Sequence, residues 1–142
     1  MRKGFSLLTA IIFLVLIATI SAISISLSTK SAKQTGDVFL KSQAQLLLRS
    51  GTEYAMLALS GTEYNATNCL NSINMTYNNS FDINVTISYI GKDIPSSCIN
   101  ILENNISTSD SNRTVIIDTF VSTKPGITTE HIKLHRRTIQ KP

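Results

Sequence analysis

Few side chains in this sequence are equipped for covalent or proton chemistry. Two cysteines (Cys69, Cys98), two histidines (His131, His135) and nine acids are scattered over 142 residues. There is no Gly-rich phosphate loop, no GxSxG elbow and no HExxH motif. The cysteines and histidines lack zinc-site spacing, and the acids lack the density of a calcium loop. His131 and His135 are four apart in a segment that reads as a strand, which places them on one face about 13 Å apart. The expectation is therefore no enzyme, no metal and no cofactor. Cys69 and Cys98 have two readings. In an oxidising compartment they form one disulfide, closing a loop of about 30 residues worth about 3 kcal/mol in the chain-entropy model. Otherwise they are two small hydrophobes. Asn-x-Ser/Thr occurs at Asn65, Asn74, Asn78, Asn84, Asn105 and Asn112, and an acid stands two residues before four of these, as Glu63, Asp82, Glu103 and Asp110.

The elements that must position these residues differ sharply along the chain. No charged residue falls between Lys3 and Lys30, and residues 5–27 are nearly all apolar or small Ser/Thr. About 23 such residues are enough to span a bilayer as a helix. A cleaved secretory signal has a shorter apolar core and a small-x-small site after it, so the run reads as retained. Arg2 and Lys3 before it predict a cytoplasmic N-terminus. The net charge of +4 gathers at the two ends, and the terminal cluster Lys133, His135, Arg136, Arg137 and Lys141 reads as a solvated end. With no aromatic-basic interleaving and no Trp, nucleic acid is not an expected partner.

Helical periodicity continues over 37–59, where Leu40, Ala44, Leu47, Gly51, Ala55 and Ala58 form a stripe. Arg49 and Glu53 lie on another face, spaced to pair, and Ser60-Gly61 predicts the stop. Residues 17–35 are rich in Ser, Thr and Ile, of lower helix propensity. Their hydroxyls either bond back to the helix backbone or mark a segment that bends. Phe81, Ile83, Val85, Ile87 and Tyr89 alternate with polar residues, as do Val115, Ile117, Thr119 and Val121, which predicts two half-buried strands. Gly91-Lys92-Asp93 and Lys124-Pro125-Gly126 read as turns. A third strand is expected at about 129–139 and a short one at 98–102, while 61–80 and 103–112 read as loops. The fold class is α+β: a long N-terminal helix, its first half membrane-spanning, packed on a small antiparallel sheet, a meander by hairpin order. The expected segments are 1–4, 5–27, 28–60 and 61–142.

The start, Met1-Arg2-Lys3-Gly4-Phe5-Ser6-Leu7-Leu8-Thr9, is a short basic leader ending in Gly, then Phe, then the apolar run. It resembles the class III signal of type IV prepilins. The resemblance is specific over about the first 25 residues and architectural beyond them. It implies cleavage between Gly4 and Phe5 by a prepilin peptidase, N-methylation of Phe5, and a pilin fold some 80 Å along its helix at 1.5 Å per residue. It also implies partners: other pilin or pseudopilin subunits through the N-terminal helix, an inner-membrane assembly platform, and the lipid bilayer. The family places Glu at the fifth mature position, where its carboxylate pairs with a neighbour's amine; here that filament-core position is Thr9. A buried pair of this kind sets register, because an unpaired charge in an apolar core is costly. In the family, lack of this Glu is a feature of some minor subunits, notably those at a filament tip, which have no subunit above them to pair with. In the family, disulfides placed like Cys69–Cys98 brace loops.

The resemblance implies a structural, minor subunit of a type IV filament machine, either a pseudopilin of a type II secretion-like system or a minor pilin. Such a subunit is single-pass in the inner membrane with a periplasmic C-terminal domain before it joins the filament. The alternatives are a bitopic, signal-anchored protein with an uncut leader and a sensor or accessory domain, and an adhesin using the loops at 61–80 and 103–112. The acid-preceded sites Asn65, Asn84, Asn105 and Asn112 resemble the extended acceptor sequence of some bacterial N-glycosylation systems, and three of the four fall in expected loops.

Overall fold

A computed structural model describes residues 3–63, 65, 67–107 and 113–141, and of 3–6 only the backbone. In chain order the elements are α1 (Lys3–Gly61), β1 (Ser72–Tyr77), β2 (Phe81–Gly91), β3 (Ile101–Glu103), β4 (Arg113–Thr123) and β5 (Lys133–Gln140). The chain forms two compact units, Met1–Val38 and Phe39–Pro142.

In the first unit α1 runs without interruption through the Ser/Thr-rich stretch. The hydroxyls hold themselves on the helix. Thr19 donates to Leu16 O, Ser21 to Ile17 O, Ser24 to Ile20 O, Thr29 to Ser26 O and Thr35 to Ser31 O, all at 2.8–3.0 Å. Each bond satisfies a polar group without water, which is how an apolar helix tolerates such residues.

In the second unit the α1 residues from Phe39 on cover one face of a sheet of order β1-β2-β4-β5. Ala44, Leu48, Gly51, Thr52, Ala55 and Leu59 are buried. The stripe is thus rotated slightly from the expected one: Leu48, Thr52 and Leu59 join it, while Leu40, Leu47 and Ala58 are only half-buried. Phe81, Ile83, Val85, Ile87 and Tyr89 of β2 meet the helix together with Val115, Ile117, Thr119 and Val121 of β4. These are the alternations read from the sequence, with period two sending one set inward. A Cβ on Gly51 would lie 3.2 Å from both Ile83 Cγ2 and Thr119 Cγ2, so the glycine sets how closely helix and sheet approach. Beside it Thr52 Oγ1 donates to Leu48 O at 3.0 Å and lies 3.0 Å from Thr119 Oγ1. A hydroxyl has one proton, and that of Thr52 is already committed, so Thr119 is the donor to Thr52. The helix stops at Gly61, where Thr62 Oγ1 donates to Ala58 O at 2.7 Å. No ion pair joins Arg49 and Glu53 among the described residues.

Three expectations are corrected. Residues 72–77, read as loop, form β1, paired with β2 from Ser72↔Thr86 to Tyr77↔Phe81. Asn78 and Asn79 both have positive φ (47° and 52°), and Ser80 N closes on Tyr77 O at 3.0 Å. This is the twist a tight hairpin requires, and Asn tolerates it. The sheet is also not a pure antiparallel meander. β3 lies parallel to the end of β2, with Tyr89 opposite Ile101, because the 92–100 connection carries the chain back before β3 begins. Finally, β5 begins at Lys133, so His131 precedes the strand and shares no strand face with His135. Its Nδ1 lies 3.4 Å from Thr123 Oγ1.

Candidate functional site

The most conspicuous chemistry of the first unit is its surface. Every large hydrophobic from Leu7 to Leu27 is 51–67% exposed within the chain. The most apolar 18-residue window of this helix has mean hydropathy 2.7 and none of it is buried. It is one helix long and apolar enough to cross a membrane. Burying one such side chain gains about 1.5–3 kcal/mol, so the surface calls for lipid or other helices around it. Gly4 and Phe5 lie within α1 by backbone, and the Phe5 side chain is not among those described. Thr9 lies in the same helix and brings no charge.

In the second unit the expected disulfide is formed. Cys69 and Cys98 are bonded across a separation of 29 residues, with Cα atoms 5.1 Å apart. The bond ties the segment after α1 to the segment after β2. Tyr89, fully buried, donates its hydroxyl to Leu70 O next to Cys69 at 2.6 Å.

The sheet face away from the helix carries a cluster that neither spacing nor composition had indicated. Asp118 of β4, buried at 8% exposure, accepts from Arg137 Nε (2.8 Å), Arg137 Nη2 (2.9 Å) and His135 Nε2 (2.8 Å). A carboxylate can only accept, so the His135 proton is on Nε2. The bond from Arg137, with that from His135, holds the Asp118 carboxyl below its usual range against the opposing effect of burial. His135 also stacks on Phe120, centroids 4.3 Å apart at 11°. The register explains the cluster: Asp118 faces Arg137 and Phe120 faces His135. In the sequence Asp118 and Phe120 sit in one expected strand and His135 and Arg137 in another that also reads as a basic, solvated end, and only the register between the two brings them together.

Of the acceptor candidates, Asn65, Asn84 and Asn105 are exposed and Asn112 lies outside the described residues. Asn65 and Asn105 sit in bridged loops, opposite Asn68 and Lys92. Asn84 is not in a loop. It lies within β2, between Asn74 and Phe120. An open cleft of about 400 Å³ between α1 and β5 is lined by Arg49, Glu53, Arg136 and Thr138 among others. No group of three or more potential metal ligands occurs among the described residues.

No family model matches this chain, and no curated protein or solved structure is significantly similar to it.

Proposed function

We propose that this chain is a minor structural subunit of a type IV filament machine. The observation that carries the reading is an uncharged, fully unburied apolar helix directly behind the leader Met1-Arg2-Lys3-Gly4. Such a surface is stable in two settings, a bilayer and a bundle of like helices, and a filament subunit passes from one to the other. Residues 5–27 wait in the inner membrane, a peptidase removes 1–4, and an assembly platform moves the helix into the bundle. The second unit is carried outside the cytoplasm. Its disulfide fits that compartment, since such bonds persist where thiols are oxidised. The role asks for no catalysis by the subunit. Thr9 supplies no charge to pair with a neighbour's amine, which favours a place at the filament tip or in a secretion-type pseudopilus.

The test is the mass of the N-terminal peptide of protein recovered from its own cells' membranes. A peptide beginning at N-methyl-Phe5 supports the proposal. One beginning at Met1, in cells with an active prepilin peptidase, overturns it and leaves a bitopic, signal-anchored protein.

A further inference from the structure

We propose that Asn65 and Asn105 are acceptors for an N-linked glycan added to the folded domain. The proposal rests on the reading above in one respect, that the domain leaves the cytoplasm. Both residues begin an Asn-x-Ser/Thr triplet, the acceptor pattern for amide glycosylation, and both follow an acid by two positions, Glu63 and Glu103. Asn74 and Asn78 follow Ser72 and Thr76 instead.

The structure separates these two from Asn84. The Asn65 amide oxygen accepts from Thr67 N at 3.0 Å and from the Thr67 hydroxyl at 2.8 Å. The triplet's own hydroxyl thus holds the amide, through its oxygen and not through Nδ2, the atom that would be glycosylated. At the second site Glu103 Oε1 accepts from Asn104 N and Asn105 N at 3.1 and 3.2 Å, so the preceding acid fixes the acceptor's backbone. Both Asn side chains are exposed. Asn84 is exposed too, but its strand is paired on both sides. A transferase drawing it into a groove would have to pull the central strand from the sheet.

The two sites share one end of the domain. Ser97 Oγ donates to Asn65 O at 2.8 Å, and Ile106 N donates to Gly91 O at 3.0 Å. Both loops are therefore fastened to residues 91–98. The residues that follow, 99–106, leave apolar side chains in water: Ile99, Leu102 and Ile106 are 79%, 60% and 49% exposed. Glycans on the two loops would cover them with a hydrophilic layer. The reaction takes a glycosyl group from a lipid pyrophosphate donor. The Nδ2–C1 bond forms, the bond from C1 to the pyrophosphate oxygen breaks, an Nδ2 proton passes to a base of the transferase, and the lipid pyrophosphate leaves.

The experiment is intact-mass and peptide analysis of the full chain from its own membranes, with the state of the Cys69–Cys98 bond recorded. Added mass on the Asn65 and Asn105 peptides is the expected result. It is lost site by site in Thr67→Ala and Ser107→Ala, which keep both asparagines, and retained in Thr67→Ser. A disulfide-bonded chain of unshifted mass overturns the proposal and leaves the exported filament subunit standing. Mass on Asn84 in place of the two loops overturns the selection by folded structure. A reduced, unshifted chain with Met1 intact, in cells with an active prepilin peptidase, overturns both readings.

Discussion

Arg137 reaches across from the edge strand to hold Asp118 by two parallel bonds, Nε to Oδ1 at 2.8 Å and Nη2 to Oδ2 at 2.9 Å. The pairing joins the last strand of the sheet to β4 through side chains as well as backbone, and two-point bonds of this kind are the stronger class of charge-assisted contact. Because the carboxyl is held below its usual range, the folded state binds its proton less readily than the unfolded chain. The stabilisation is therefore complete above the unfolded value of about 4 and is lost as pH falls through the lower folded value. Calorimetric melting of the full chain in detergent should show a midpoint that drops below about pH 4. Asp118→Asn should lower the midpoint at neutral pH, by on the order of 1–2 kcal/mol in stability, and flatten the acid-side fall.

The buried hydroxyl pair makes an asymmetric prediction. Thr119 gives its proton to Thr52, and Thr52 gives its own to Leu48 O. Thr52→Val leaves a buried Thr119 donor without its acceptor and should cost about 1–3 kcal/mol. Thr119→Val leaves the Thr52 bond to Leu48 in place and should cost less. The double variant, with both groups replaced by apolar isosteres, should lie closer to wild type than Thr52→Val alone. Denaturant midpoints of the three variants check this order.

Two glycines of α1 should respond in opposite ways. Gly51→Leu forces a side chain between Ile83 and Thr119, already within 3.2 Å of a Cβ, and should destabilise by about 2 kcal/mol through overpacking. Gly36 has nothing within 4 Å of its would-be Cβ. Gly36→Ala should strengthen the helix by about 1 kcal/mol, read as slower amide exchange over residues 32–40 in detergent.

Removing the disulfide by Cys69→Ser with Cys98→Ser should lower stability by about 3 kcal/mol. Reductant should shift the denaturant midpoint of wild type and leave that of the double variant unchanged.

Much of the fold was legible because its signals are periodic. The uncharged run of the first unit, the small-residue stripe, and the alternation of β2 and β4 each carry their own geometry. β1 was missed although Ile73, Met75 and Tyr77 alternate with Ser72, Asn74 and Thr76, because an Asn/Ser-rich composition suggested loop. The hairpin signal there is Asn78-Asn79, residues that accept a left-handed backbone. β3 has three residues, too few to show a period, and its parallel pairing depends on where a loop turns. The Asp118 cluster could not be read in advance, since Asp118 and Arg137 are 19 positions apart and meet only through a strand register. The alternation of β4 did indicate that Asp118 lies on the face away from the helix, but not that a cation covers it there.

The staple between Cys69 and Cys98 also has a mechanical meaning. Tension along α1 beyond what its packing on the sheet takes up would otherwise enter through the 62–71 connection and pull on β1, whose ladder to β2 starts at Ser72. Hydrogen bonds loaded from one end yield one after another. With the two cysteines joined, a covalent shunt meets the load three residues before that ladder and shares it with the segment beyond β2. The hairpin is thereby shielded from being unzipped by its own tether.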